Sequence, residues 1–355
     1  MQTYNSHTPR SLMIWLGIMC LLVMAIIVIG GATRLTNSGL SITEWAPITG
    51  ALPPLSDAKW LSEFEKYKLI PEFEAEHPDM DLAGFKFIYF WEWAHRQLGR
   101  FIGLAYALPF FVFLMRKKLP AGRTFAFWAV LFLIGLQGAI GWWMVHSGLQ
   151  EGMVNVSPYR LATHLGMAFL ILGLLFMLFL AACNHWPDRR KQPMRKAAGG
   201  LLVLTYLQVV AGAFVAGTKA GYTYNTWPLM DGRFVPEGYF IMSPFWRNIF
   251  ESVPAIQFNH RILAYLLLAG SFTFWLKARN MAHPATRTLS GWFLVAMLWQ
   301  AGLGIWTLLK VAPLNLSLLH QGSSIFVFML GVALYRSTRI RLSQFVGDIA
   351  VGHYD

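Results

Sequence analysis

Apolar residues run along this chain in long, nearly unbroken blocks, not in the alternating or one-sided patterns of soluble strands and helices. Blocks long enough to carry a helix across roughly 30 Å of hydrocarbon fall at about 12–31, 86–115, 123–146, 158–183, 197–218, 252–277, 288–311 and 316–336. The pattern predicts eight transmembrane helices in an all-α integral membrane protein. Between the first two blocks lies a connection of different character, 32–85, which carries Asp57, Glu63, Glu65, Glu72, Glu74, Glu76, Asp79 and Asp81.

Composition supports this assignment. The 355 residues are 56% hydrophobic and only 13% charged, with mean hydropathy +0.47, far from a soluble globular chain. The net charge of +12 raises nucleic acid as a partner, but the basic residues sit in short connections: Arg116, Lys117 and Lys118; Arg189, Arg190, Lys191, Arg195 and Lys196; Lys277, Arg279 and Arg287; and, in the tail, Arg336, Arg339 and Arg341. These are alternate connections, so the positive-inside rule predicts both termini in the cytoplasm and the 32–85 connection outside. The bilayer, not nucleic acid, is the expected partner. The two cysteines, Cys20 and Cys183, form no CxxC pair, and neither a disulfide nor a thiolate site is expected. The first block reads as a retained helix, and no Arg-rich presequence precedes it. The expected location is therefore a bacterial cytoplasmic (inner) membrane, with a multi-pass topology.

Comparing the chain with itself reveals a repeat. GGATRLTNSGLSITEWAP (30–47), WAHRQLG (93–99), QGAIGWW (137–143) and ATHLG (162–166) in the first half answer AGAFVAGTKAGYTYNTWP (211–228), FNHRILA (258–264), QAGLGIW (300–306) and LLHQG (318–322) in the second. Two repeated four-helix bundles follow, 1–196 with the long acidic connection and 197–355 without it. Each unit starts and ends inside, so the repeats are parallel. Each places a histidine near the leading, outward end of its second and fourth helices: His95 and His164, then His260 and His320. Glycines occupy the same level at Gly30/Gly31, Gly138/Gly141, Gly212/Gly217 and Gly302/Gly304. They allow either a close approach by a flat ligand or ordinary packing through small residues.

Ionisable groups inside a span are costly and are functional candidates by default. Two imidazoles on facing helices of a bundle suit a porphyrin iron held edge-on, whereas zinc asks for three or four ligands around one ion. The halves then differ. Glu92, His95, Arg96 and Gly99 share one helical stripe, and the matching stripe is Gln257, His260, Arg261 and Ala264. A carboxylate near a metal-bound reacting group can exchange protons, so the first half reads as reactive and the second as an electron-transfer or structural site. The other reading of Glu92 is a salt bridge to Arg96 or Arg100. Arg96 and Arg261 either pair with haem propionates or snorkel to the interface; Arg34, Arg160 and Lys219 share those two readings. His146 is expected at the interface, and His7, His77, His185, His283 and His353 are assigned no role. Trp91, Trp93, Trp142, Trp143, Trp227 and Trp246 read as an aromatic belt.

The segments GGATRLTNSGLSITEWAPITGALPP (30–54), FIYFWEWAHRQLGR (87–100), THLG (163–166), AGTKAGYTYNTWPLMDG (216–232), FNHR (258–261) and LHQG (319–322) resemble haem A synthase, in the form found in alphaproteobacteria and mitochondria. The resemblance spans essentially the whole chain. It implies an oxidoreductase acting on a methyl (CH/CH2/CH3) group of haem O, converting it through hydroxylated intermediates to the formyl group of haem A for terminal cytochrome oxidases. It further implies that His260 and His320 are axial ligands of a resident haem b, that His95 and His164 belong to the substrate half, and that Glu92 is the essential acid. Haem O synthase and an electron donor are the implied partners. Some members carry a cysteine pair in the first outer connection; this chain has none between 32 and 85, and the acidic connection there is expected to be a solvated spacer or a docking surface. The competing expectation is a non-catalytic membrane dihaem b-type electron carrier, which gives no reason for an acid in one half only. A haem chaperone or transporter would need a translocation route that the one-sided histidines do not suggest.

Overall fold

The computed structural model describes residues 9–120, 122–183, 194–280 and 283–338. Arg189, Arg190, Lys191, Arg339, Arg341, His7, His185 and His353 lie outside the described residues. In chain order the helices are α1 (Arg10–Leu35), α2 (Asp57–Lys68), α3 (Pro71–Glu76), α4 (Leu82–Met115), α5 (Thr124–Gly148), α6 (Pro158–Cys183), α7 (Arg195–Gly217), α8 (Arg247–Glu251), α9 (Val253–Ala278), α10 (Pro284–Leu309) and α11 (Leu314–Ser337). Eight of them, all but α2, α3 and α8, are long and apolar enough to cross a membrane. Among the described residues no strand occurs, only an isolated bridge between Met230 and Arg233.

Helix starts follow local chemistry. Proline, whose missing N–H costs nothing in a first turn, opens α3, α6 and α10 and lies in the first turn of α9, and Pro313 precedes α11. Asp81 caps α4 by accepting from the Gly84 N–H at 2.8 Å, which starts this helix four residues before its apolar block. At 34 residues it is about 51 Å long, against roughly 30 Å of hydrocarbon. Inside α4, Pro109 cannot donate to the Ala105 carbonyl. The indole of Trp15 on α1 donates to that carbonyl instead, at 2.9 Å, so the exception in one helix becomes a bond to another.

Helices α1, α4, α5 and α6 pack as a ring, each on the next, and α7, α9, α10 and α11 close a second ring in the same way. The rings meet where α1 and α6 pack on α7 and α11. The largest apolar core joins Leu12, Trp15, Leu16 and Met19 of α1 to Tyr106 and Phe110 of α4, Phe127 of α5, Phe169 and Leu172 of α6, and also Phe328 and Val332 of α11. The outward faces are apolar as well, with Leu21, Leu104, Phe132 and Leu298 all more than half exposed. Such faces belong against lipid. Direct bonds cross between the rings: Gln321 of α11 donates to the Ile27 carbonyl of α1 at 2.9 Å, and Gly31 leaves the space that this amide fills.

The 32–85 connection is not a solvated spacer. It folds as α2 and α3 and packs Ile42, Trp60, Phe64 and Tyr67 onto Phe85, Ile88 and Tyr89 of the α4 extension. Its acidic character is real on the outside, but Glu72 is turned inward and is 4% exposed. We call this unit the cap.

Candidate functional site

Each of the four intramembrane histidines lies with its Cε1 edge over a glycine of the preceding long helix. A Cβ on Gly30 would stand 2.8 Å from His95, one on Gly141 3.0 Å from His164, one on Gly212 3.2 Å from His260, and one on Gly304 2.8 Å from His320. At Gly30 and Gly304 only glycine leaves room for the ring as it stands, and at Gly141 and Gly212 a Cβ would press on it. Of the other glycines at this level, Gly31 faces Gln321, Gly217 faces Pro158, and Gly138 and Gly302 face nothing within 4 Å. The packing and close-approach readings of these glycines are therefore divided residue by residue.

A glutamine one turn before the glycine completes the seat in three of the four cases. The Gln137 amide donates to the His164 carbonyl at 3.1 Å and lies 3.2 Å from its Nδ1. Gln208 does the same to His260, at 3.0 and 3.2 Å, and Gln300 to His320, at 2.9 and 3.2 Å. The Ser323 hydroxyl in turn donates to Gln300 Oε1. The corresponding residue of α1 is Ile26, and His95 Nδ1 is buried without a partner.

The His95 and His164 ring centroids are 6.4 Å apart. Two imidazoles opposed across one iron, with metal–nitrogen bonds of about 2 Å, place their centroids roughly 6 Å apart. His260 and His320 are near enough to interact electrostatically. Among the described residues no group of three or more His, Cys, Asp or Glu side chains stands ready for a bare metal ion. Paired imidazoles over bare glycines fit a bis-histidine haem in each ring of helices.

One turn before His95 and His260, the halves share a buried cradle built with opposite polarity. Glu92, 3% exposed, accepts at Oε2 from the Ser41 hydroxyl and the Ile42 N–H, both at 2.8 Å, and at Oε1 from Arg96 at 2.6 Å. Gln257, also 3% exposed, donates from Nε2 to the carbonyls of Ala220, at 2.8 Å, and Thr223, and accepts from Arg261 at 2.8 Å. Arg96 further donates to the carbonyls of Ile42 and Glu44, and Arg261 to those of Tyr224 and Thr226. Arg100 turns to Ala46 and Pro47. These arginines hold the α1–α4 and α7–α9 connections down on the helices, while Arg34 Nε, Arg100 Nη1 and Arg261 Nε remain buried donors without partners.

Above Glu92 the cap supplies a second buried acid. Burial, with Glu92 nearby, pushes the Glu72 carboxyl up to about 8. Tyr67 donates to Glu72 at 3.3 Å and shares a 2.7 Å hydrogen bond with His77 Nδ1; burial holds the Tyr67 phenol above its ordinary value and the His77 imidazole below its own. Lys219, which follows α7, bonds Glu76 at 2.6 Å, and Arg34 reaches the Ala216 carbonyl at 3.3 Å, so the cap is also tied to the second ring. His146 stacks on Trp142 and contacts Gln150, away from the paired imidazoles.

The sequence identifies the histidines, Glu92 and the glycine level, and the structure brings them together. It misses the glutamines, although QGAIGWW and QAGLGIW put Gln137 and Gln300 four residues before the facing glycines. It also misses Glu72, whose burial no local pattern announces.

A family model described as cytochrome oxidase assembly protein matches residues 13–332. The chain is 50% identical to the haem A synthase of Ruegeria pomeroyi over 324 residues, 89% of this chain and 85% of that protein. It is 46% identical to that of Roseobacter denitrificans over 334 residues, 92% and 87%, and 47% identical to that of Maricaulis maris over 337 residues, 94% and 97%.

Proposed function

The chain belongs to the family of cytochrome oxidase assembly proteins, and we propose on that basis that it is a haem A synthase of the bacterial inner membrane, with haem O as substrate. The reaction is the oxidation of a haem O methyl group to formyl through hydroxylated intermediates, a net withdrawal of four electrons. We assign the substrate to the first unit, residues 1–196, which carries α1–α6, and a resident haem b to the second, residues 197–355, which carries α7 from its third residue onward and α8–α11. His260 and His320 would hold the resident group, which would supply one-electron redox chemistry when bound. His95 and His164 are the proposed ligands on the substrate side.

The observation that carries the division of labour is the reversed cradle. Glu92 places an ionisable group, buried and held at both oxygens by Ser41, Ile42 and Arg96, where the second half has the non-ionisable Gln257. In this reading Glu92 Oε1 and Oε2 take up and return protons as the methyl group loses hydrogen, and Arg96 and Ser41 fix the orientation. Arg34 Nε, Arg100 Nη1 and Arg261 Nε are the donors proposed for propionates. The Arg96 guanidinium, committed to Glu92 and two carbonyls, is a positioning group instead.

Co-expression with a haem O synthase, followed by chromatographic identification of the extracted pigments, tests the proposal. Haem A or its hydroxymethyl precursor is expected from the native chain, and Glu92→Ala is expected to retain the resident haem while giving neither product. Recovery of haems B and O alone from the native chain would replace the enzyme by the dihaem carrier.

A further inference from the structure

Three of the four imidazoles have a glutamine partner and one has none. Gln137, Gln208 and Gln300 each reach across from the preceding helix, donate to the main-chain carbonyl of the histidine at 2.9 to 3.1 Å, and lay the amide 3.2 Å from its Nδ1. The contact fixes the helix segment that carries the ring as well as the ring itself. On α1 the same face, one turn before Gly30, carries Ile26, a partly buried side chain packed in the apolar core. It offers no hydrogen bond, and His95 Nδ1 is correspondingly a buried nitrogen with no partner.

The amide nitrogen is a donor, so it is the bond to the main-chain carbonyl and the close packing on the ring that hold the imidazole; partners outside the metal's own shell set ring orientation, and their loss typically costs ten- to a hundredfold in affinity. A group that must stay bound benefits from two fastened ligands. A group that is bound, altered and released needs one ligand that gives way easily.

We infer that Gln137, Gln208 and Gln300 are positioning residues for the haem-binding imidazoles, and that His95, with Ile26 where a fourth glutamine would be, is the exchangeable ligand through which the substrate site admits and discharges its haem. This rests on the assignment of the two histidine pairs to substrate and resident haem. It adds which of the two substrate-side ligands yields, and why.

The test uses the full-length protein in detergent, loaded with haem O in the presence of its resident haem. Two quantities are read: the low-spin fraction of each haem by electron paramagnetic resonance, and the rate of haem transfer to excess apomyoglobin. Ile26→Gln is expected to raise the low-spin fraction on the substrate side and slow transfer from it by about tenfold. Gln137→Leu is expected to speed that transfer by a similar factor, and Gln208→Leu to shift the resonance of the resident haem and make it transferable. Unchanged spectra and rates in Ile26→Gln and Gln137→Leu, with each haem still bound, would overturn the inference while leaving the site assignment intact. The assignment itself fails separately if His164→Ala leaves haem O loading unchanged, or if His260→Ala keeps the low-spin resident spectrum.

Discussion

The two rings of helices carry almost the same furniture at the same level, and the differences fall at a few atoms. Both seat imidazoles over glycines, both place a buried polar side chain one turn earlier, and both tie it to an arginine. In the first ring that side chain is Glu92, met by an O–H and an N–H; in the second it is Gln257, met by two carbonyls. A carboxylate accepts only, and an amide nitrogen donates only, so each of the two connections has its backbone turned to suit its own partner. The reactive character of one half is thus built into loop geometry as well as into the identity of one residue, and exchanging the residues alone does not exchange the roles.

Swapping the pair strains the comparison hardest. Glu92→Gln directs an amide N–H at the Ile42 N–H or the Ser41 hydroxyl and removes the ionisable group. Haem A yield is expected to fall by roughly a hundredfold or more, with the resident haem spectrum unchanged. Gln257→Glu points a carboxylate at the carbonyls of Ala220 and Thr223, and losing both hydrogen bonds while burying repelling oxygens is expected to cost about 3 kcal/mol. Thermal loss of the resident haem absorbance reads this out. A Gln257→Glu protein as stable as the parent would show that the loops re-turn freely, and the argument from polarity would fall.

The glycine seats come next. Gly304→Ala sets a methyl 2.8 Å from His320 Cε1 and is expected to cost about 1–3 kcal/mol with visible loss of resident haem. Gly302→Ala, where nothing lies within 4 Å, is expected to be silent in the same assay. Equal effects at the two positions would reduce the seat to ordinary helix packing.

The cap, which only the first half has, predicts a pH dependence that the second half lacks. Glu72 keeps its proton in the folded cap up to about pH 8, whereas its ordinary value is 4.5. Between these values the folded state holds more protons, so cap stability falls as pH rises from about 4.5 towards 8 and levels off above. Tyr67, Glu76, Arg34 and Glu92 are the charged or titratable groups around it. His77, lowered by burial, acts in the other direction: its contribution is present above its ordinary value of 6.5 and is lost below. Hydrogen exchange across 57–77, corrected for intrinsic rates, is expected to show the alkaline arm, and Glu72→Gln to abolish that arm alone. The smallest effect is expected at the link between cap and second ring. Lys219 and Glu76 are 35% and 25% exposed, and Lys219→Met is expected to cost no more than about 1 kcal/mol, seen as a slight rise in exchange over α3.

What was legible in the sequence followed from local physics. Eight apolar blocks became eight helices because a bilayer leaves the backbone no other partner than itself, and the histidines stood out because ionisable groups are rare there. The cap escapes the sequence because its acidic residues, all but Glu72 and the half-buried few, describe its outer face. Trp60, Phe64 and Tyr67 find their partners on α4, a contact that no window along the chain contains. The glutamines were visible as letters but not as a device. Gln137 and Gln300 stood inside the quoted repeats, yet spacing alone could not say that Gly141 and Gly304, and not Gly138 and Gly302, turn towards a ring.

The length of α4 has a practical consequence. A 40.2 kDa chain built from two near-equivalent rings is a poor object for single-particle imaging, since particles rotated by half a turn look alike inside a detergent belt. A helix overshooting the hydrocarbon by about 20 Å, with α2 and α3 packed against it on one side only, gives each particle a fixed landmark. That landmark distinguishes the two rings at low resolution, before any side chain or cofactor can be seen.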